Sequence, residues 1–138
     1  MNRETECTAF RPDASVVAVV CIVDDDASVR RSLSNLLRSA GFKTLSFSSG
    51  EEFLASTDAL NSDCALLDLR MKRLSGAEVQ KALTRSGCRL PVIGMSAHWD
   101  DSALSESLRH GAVGWLSKPF TEQVLLDAVS EALKIPRS

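Results

Sequence analysis

Five times along this chain a short apolar run gives way to a stretch with helical periodicity, and that alternation restricts the fold more than any other feature. A strand that is followed by a helix and then by another strand returns to the same sheet in parallel. Five such units predict a parallel sheet with helices on both faces. The runs span residues 17–23, 42–47, 64–68, 91–96 and 112–116. Strands covered on both faces are apolar throughout, whereas edge strands are mixed. The first, third and fourth runs are nearly all apolar and the second is mixed, which fits a doubly wound α/β sheet of order 2-1-3-4-5.

The intervening stretches carry helix signals. Val29, Leu33, Leu36, Leu37 and Ala40 fall on one stripe, and Gly41 follows where a left-handed cap ends a helix. Ser49 with Glu52, and Ser75 with Glu78, have capping-box spacing, and the second of these helices runs to about Arg85. A weak fourth helix, with Ala103, Leu104 and Leu108 as its apolar anchors, ends near Gly111. The last helix covers residues 121–133, with Leu125, Ala128, Val129, Ala132 and Leu133 on one side. Residues 1–15 are polar and unpatterned and are expected to form a loose tail. The domain is expected over 16–134, with 135–138 as a short end.

Composition excludes several classes. The net charge of −2 is close to balanced, and Arg30, Arg31 and Arg38 read as the wet side of the first helix, so no nucleic-acid contact is expected of this chain. The longest apolar run, residues 16–23, falls far short of the roughly 20 residues of a membrane span, and its aspartate flanks are wrong for a signal peptide. Cys7, Cys21, Cys64 and Cys88 form no C-x-x-C pair, which argues against a thiolate metal site and a disulfide scaffold. A reducing, cytoplasmic setting is the expectation.

The sheet order brings distant segments to one rim. In open α/β sheets ligands bind beyond the carboxyl ends of the strands, where the order reverses. Asp24 and Asp25 follow strand one, Asp68 ends strand three, Ser96 ends strand four and Lys118 follows strand five. Converging carboxylates repel one another unless a cation joins them. Magnesium suits such a site, because it takes hard oxygen ligands and keeps room for phosphate oxygens. A flavin or dinucleotide phosphate needs a glycine-rich turn, and Asp24-Asp25-Asp26-Ala27-Ser28 would repel it. A carboxylate can act as nucleophile toward phosphorus, with magnesium and the Lys118 ammonium offsetting charge on the transferred group and Ser96 donating a hydrogen bond. Asp26 reads as a helix N-cap.

These residues resemble a known family. Val23-Asp24-Asp25-Asp26, Asp68-Leu69-Arg70-Met71 with Ser75-Gly76, Ser96-Ala97 and Lys118-Pro119-Phe120 look like the receiver domain of two-component response regulators. The wording is most like receivers of nitrogen-fixation and nodulation regulators. The resemblance implies a flavodoxin-like fold and a phosphoprotein of phosphorelay signalling that catalyses only its own phosphorylation and dephosphorylation. It implies that Asp68 accepts a phosphoryl group from a histidine kinase. Asp24, Asp25, Asp68 and the backbone carbonyl of Arg70 would hold Mg2+, Lys118 would contact the phosphoryl oxygens, and the Lys118–Pro119 bond would be cis. Ser96 and Trp115 would be the switch pair; plain core packing is the alternative for Trp115. Arg70 and His98 would flank the phosphoryl group. Lys72 stands where the family usually has proline, and Ser96 where threonine is commoner.

The fourth helix, fifth strand and fifth helix are the expected output face, available for a downstream target, for a missing output domain or for a second copy in a dimer. Two other readings compete. Asp24, Asp26 and Ser28 satisfy the D-x-D-x-[T/S] pattern of haloacid-dehalogenase-type phosphatases, in which Asp24 would be the nucleophile. A pseudo-receiver would keep the fold without being phosphorylated.

Overall fold

The computed structural model describes residues 17–97 and 101–135. Five strands, β1 (Val19–Val23), β2 (Lys43–Phe47), β3 (Cys64–Asp68), β4 (Val92–Ala97) and β5 (Gly114–Lys118), form one sheet in the order β2-β1-β3-β4-β5. Every neighbouring pair is parallel. The expected order 2-1-3-4-5 is therefore the observed one. Its cause is the one read from polarity: β3 is buried at all five positions, whereas β2 is buried at none.

The helices are α1 (Ala27–Ser39), α2 (Gly50–Leu54), α3 (Thr57–Leu60), α4 (Gly76–Arg85), α5 (Asp101–Arg109) and α6 (Glu122–Leu133). The single helix expected after strand two is thus two short ones, and the fourth and fifth helices of the sequence reading are α5 and α6. The break has a local cause. Ser56 leaves helical geometry and its hydroxyl accepts from the Ala59 amide, starting α3 afresh.

The two capping-box expectations fare differently. Ser75 and Glu78 make the full reciprocal box at the start of α4. At α2 only half forms: Ser49 accepts from the Glu52 amide, but the Glu52 carboxylate accepts from Ser48 instead. Gly41 has φ +100, as a left-handed helix end requires. Strand five starts later than expected. The amide of Ala112 is drawn back to the Ser107 carbonyl and so closes α5, the Val113 amide turns to the Val92 carbonyl of β4, and the strand runs from Gly114 on to include Lys118.

Two apolar layers sandwich the sheet. Val20, Ile22, Leu66, Ile93 and Met95 face Leu33 and Leu37 of α1 and Leu125 and Val129 of α6. Cys21, Val23, Ala65 and Leu67 face Phe53, Ala59, Val79 and Leu83. A third, small cluster of Leu69, Ala103 and Leu104 lies under α5. Leu108, expected as an anchor of that helix, is 45% exposed. Cys21 and Cys64 are both buried free thiols; the Cys21 sulfur also meets the Ser62 hydroxyl at 3.1 Å, and burial pushes the Cys64 thiol up to about 12. Among the described residues no helix is long and apolar enough to cross a membrane. The expected tail 1–15, His98 and most of the end 135–138 lie outside the described residues.

Candidate functional site

The carboxyl ends of β1, β3, β4 and β5 meet as the sheet order requires. A single residue step takes each of the first three strands from apolar core to a buried polar side chain: Val23 to Asp24, Leu67 to Asp68 and Met95 to Ser96. Carboxylate oxygens of Asp24, Asp25 and Asp68 lie within 4.8 Å of one another, with Asp25 exposed and the other two buried. The Lys118 ammonium donates to Asp24 Oδ2 at 2.9 Å and stands 3.9 Å from Asp68 Oδ1. It reaches the pocket from the last position of β5, which pairs with Ala97 beside Ser96. The Lys118–Pro119 bond is cis.

Backbone and side-chain donors hold the carboxylates in place. Asp24 Oδ1 accepts from the Asp26 amide at 2.9 Å, and the Arg30 guanidinium donates to the Asp24 carbonyl at 2.7 Å. Asp68 Oδ1 accepts from the Arg70 amide at 3.2 Å. Asp25 Oδ2 accepts from the Lys72 amide at 3.3 Å. A proline at position 72 would have no hydrogen to offer there, so this bond across the pocket depends on position 72 not being proline; the Lys72 side chain is exposed. Behind Asp68, α4 packs so closely that a Cβ at Gly76 would come within 2.8 Å of Leu69 Cα. Glycine there lets the loop after β3 lie against the start of α4.

Three carboxylates against one ammonium leave the pocket over-supplied with negative charge. The Asp68 carboxyl shows it: burial first, and then the Asp24 charge, raise it to about 6, with Lys118 pulling the other way. A divalent cation answers that excess, and the all-oxygen donor set suits magnesium rather than a soft metal. Ser96 adds an independent sign. Its hydroxyl is buried and, among the described residues, is the side-chain polar atom left without a hydrogen-bond partner. A buried hydroxyl without a partner is costly unless a ligand completes it. These observations fit Mg2+ and a phosphoryl group.

Asp26 caps α1, accepting from the Ser28 amide and hydroxyl at 2.9 and 2.7 Å, and is outside the carboxylate cluster. Trp115 is 53% exposed, so core packing does not explain it. In β5 it lies opposite Gly94, two residues before Ser96 and on the same sheet face as Ser96 by strand alternation. His98 is outside the described residues. Sequence reading missed Arg30: spacing put it on the wet side of α1, but it turns back to hold the loop that carries Asp24. Its position one turn after that loop was the available signal.

The family model for the response regulator receiver domain matches residues 20–130. The chain is 42% identical over 125 residues to nodulation protein W of Bradyrhizobium diazoefficiens, covering 91% of this chain and 55% of that protein. It is 40% identical to the transcriptional regulatory protein TdiR of Thauera aromatica, covering 87% of this chain and 53% of that one. It superposes on the crystal structure of FixJ-N with a TM-score of 0.84 at 32% identity, covering 89% of this chain and 98% of that one. The chain therefore spans about half the length of the curated relatives, and it belongs to the response regulator receiver domain family.

Proposed function

We propose that this receiver takes a phosphoryl group onto Asp68 from a histidine kinase in a magnesium-dependent reaction and thereby switches an output face. The observation that carries the reading is the joint placement of three clustered carboxylates, the Lys118 ammonium between Asp24 and Asp68, and the unpartnered Ser96 hydroxyl. An Asp68 carboxylate oxygen attacks phosphorus as the bond to the donor's histidine nitrogen breaks, and the histidine leaves with its electron pair. Bound Mg2+ supplies charge that favours ionised Asp68 and offsets charge on the transferring oxygens. Asp24, Asp25, Asp68 and the Arg70 carbonyl are the proposed ligands. Lys118 holds a phosphoryl oxygen, and Ser96 turns its hydroxyl toward the phosphate. The protein turns over only its own phosphate.

Phosphorylation exchanges one negative charge for about two and adds three strong acceptors. The proposed readout is the face of α5, β5 and α6, where Leu108, Val113, Trp115 and Val124 are exposed apolar side chains. Trp115 changes rotamer with Ser96. The partner is an output domain beyond residues 16–134, as the longer relatives suggest, a separate target protein, or a second copy. The setting is the cytoplasm, where such kinases present their phosphohistidine. The phosphatase reading loses support because Asp26, which it needs in the pocket, is spent on capping α1.

Calorimetric titration tests the reading. One Mg2+ should bind wild type, and beryllofluoride should bind only once Mg2+ is present. Asp24→Asn with Asp25→Asn should lose Mg2+ binding. A wild type that takes Mg2+ but no beryllofluoride would instead favour the pseudo-receiver.

A further inference from the structure

The three clusters of the core leave α5 held in two unlike ways. Toward its start, Ala103 and Leu104 rest on Leu69, the residue that directly follows Asp68. Toward its end, the contact with the body of the domain is polar and buried. Gln80 of α4 and Ser107 of α5 are each 2% exposed. The Gln80 Nε2 donates to the Ser107 carbonyl at 3.0 Å and to the His110 carbonyl at 3.4 Å, while the Ser107 hydroxyl donates to Gln80 Oε1 at 2.8 Å.

The last carbonyls of a helix have no partner within it. Here a glutamine from another helix reaches two of them, the Ser107 carbonyl, which also accepts from the His110 and Ala112 amides, and the His110 carbonyl, and the helix returns a hydrogen bond to the same side chain. The pair also abuts β4: a Cβ at Gly94 would meet Ser107 Oγ at 2.8 Å, two residues before Ser96. The Glu106–His110 side-chain contact at 3.8 Å lies within the same part of the chain and does not tie α5 to α4.

The two attachments respond differently to force. Apolar contact is non-directional and tolerates sliding. A buried reciprocal hydrogen bond does not, because displacing either partner strands polar groups away from water. We propose that the Gln80–Ser107 pair is the pivot of the switch: Gln80 fixes the end of α5, so that modification of Asp68 swings the start of the helix, across Leu69, while its last turn stays in place. Gln80 is thus a positioning residue, outside the pocket, that decides which part of the output face moves. This inference rests on the phosphoryl reading above.

Hydrogen exchange read by mass spectrometry, on the whole chain with Mg2+ and with or without beryllofluoride, tests it. In wild type, beryllofluoride should change exchange of residues 101–104 by about threefold or more, with little change at 107–113. Gln80→Leu should speed exchange of 107–113 by about tenfold without any ligand and leave β1 and α1 protected. Beryllofluoride should then alter 107–113 as well. Ser107→Ala keeps the two bonds from Gln80 Nε2 and should give a smaller increase confined to the same residues, which decides the matter should Gln80→Leu fail to fold. A wild-type response as large at 107–113 as at 101–104, or unchanged exchange there in both variants, would overturn the pivot alone. No response anywhere to beryllofluoride would overturn the phosphoryl reading, and the pivot with it.

Discussion

The floor of the sheet and its carboxyl-end rim are built from the same strands one residue apart, yet they are held to opposite standards. On the floor, Val20, Ile22, Leu66, Ile93 and Met95 are fully buried against apolar neighbours. On the rim, Asp24, Asp68 and Ser96 are almost as buried, but they carry clustered negative charge and a hydroxyl without a partner. Burial stabilises the first set and opposes the second. The difference teaches that the floor supplies the stability that lets the rim remain unsatisfied until ligands arrive. Functional sites are where such local conflicts are retained.

The largest expected effect lies on the floor. Leu66→Ala removes a fully buried side chain from β3, central among the strands, and should lower unfolding stability by roughly 2–5 kcal/mol, read by urea denaturation. A loss well under this would mean the core is looser than its burial implies. On the rim, Lys118→Ala removes the ammonium that pairs Asp24 and approaches Asp68. It should slow labelling by acetyl phosphate at saturating Mg2+ by about 10–100-fold, timed by quenched intact-mass measurement. Unchanged labelling would remove Lys118 from the proposed chemistry.

The contrast is sharpest where a rim substitution should stabilise. The Asp68 carboxyl is raised from 3.8 to about 6, so the folded protein holds that proton more tightly than the unfolded chain does. Stability therefore falls as pH climbs through that interval and stays lowered above it. Asp68→Asn should relieve the penalty, raising stability by roughly 1–2 kcal/mol near neutral pH without divalent cations. The gain should vanish toward pH 4. Thermal melts with and without a chelator check this; a destabilised Asp68→Asn at neutral pH would show that the rim is not under charge strain. The smallest effect lies behind the rim, at the start of α4. Ser75→Ala breaks the full capping box of α4 and should cost about 1 kcal/mol by the same melts, at every pH.

The floor and the rim were also unequally legible in the sequence. Central strands announced themselves because β1, β3 and β4 must be apolar on both faces, and the strand order then carried Asp24, Asp68, Ser96 and Lys118 to one place. Three points escaped. The split between α2 and α3 turns on whether Ser56 caps or continues a helix, which spacing leaves open. The start of β5 shifted because the Ala112 amide answers a carbonyl at the end of α5. Arg30 read as the wet side of α1 and Gln80 drew no reading at all, and the role of each depends on which distant carbonyl it meets. Periodicity reports which face a side chain takes, but not its polar partner across the fold.

The central claim, that the rim takes a phosphoryl group on Asp68, is tested most directly by intact mass after incubation with acetyl phosphate and Mg2+, comparing wild type with Asp68→Asn. The account predicts one added phosphoryl group in wild type, lost with a chelator and lost in Asp68→Asn. An adduct that persists without Asp68, or forms equally without Mg2+, would contradict it.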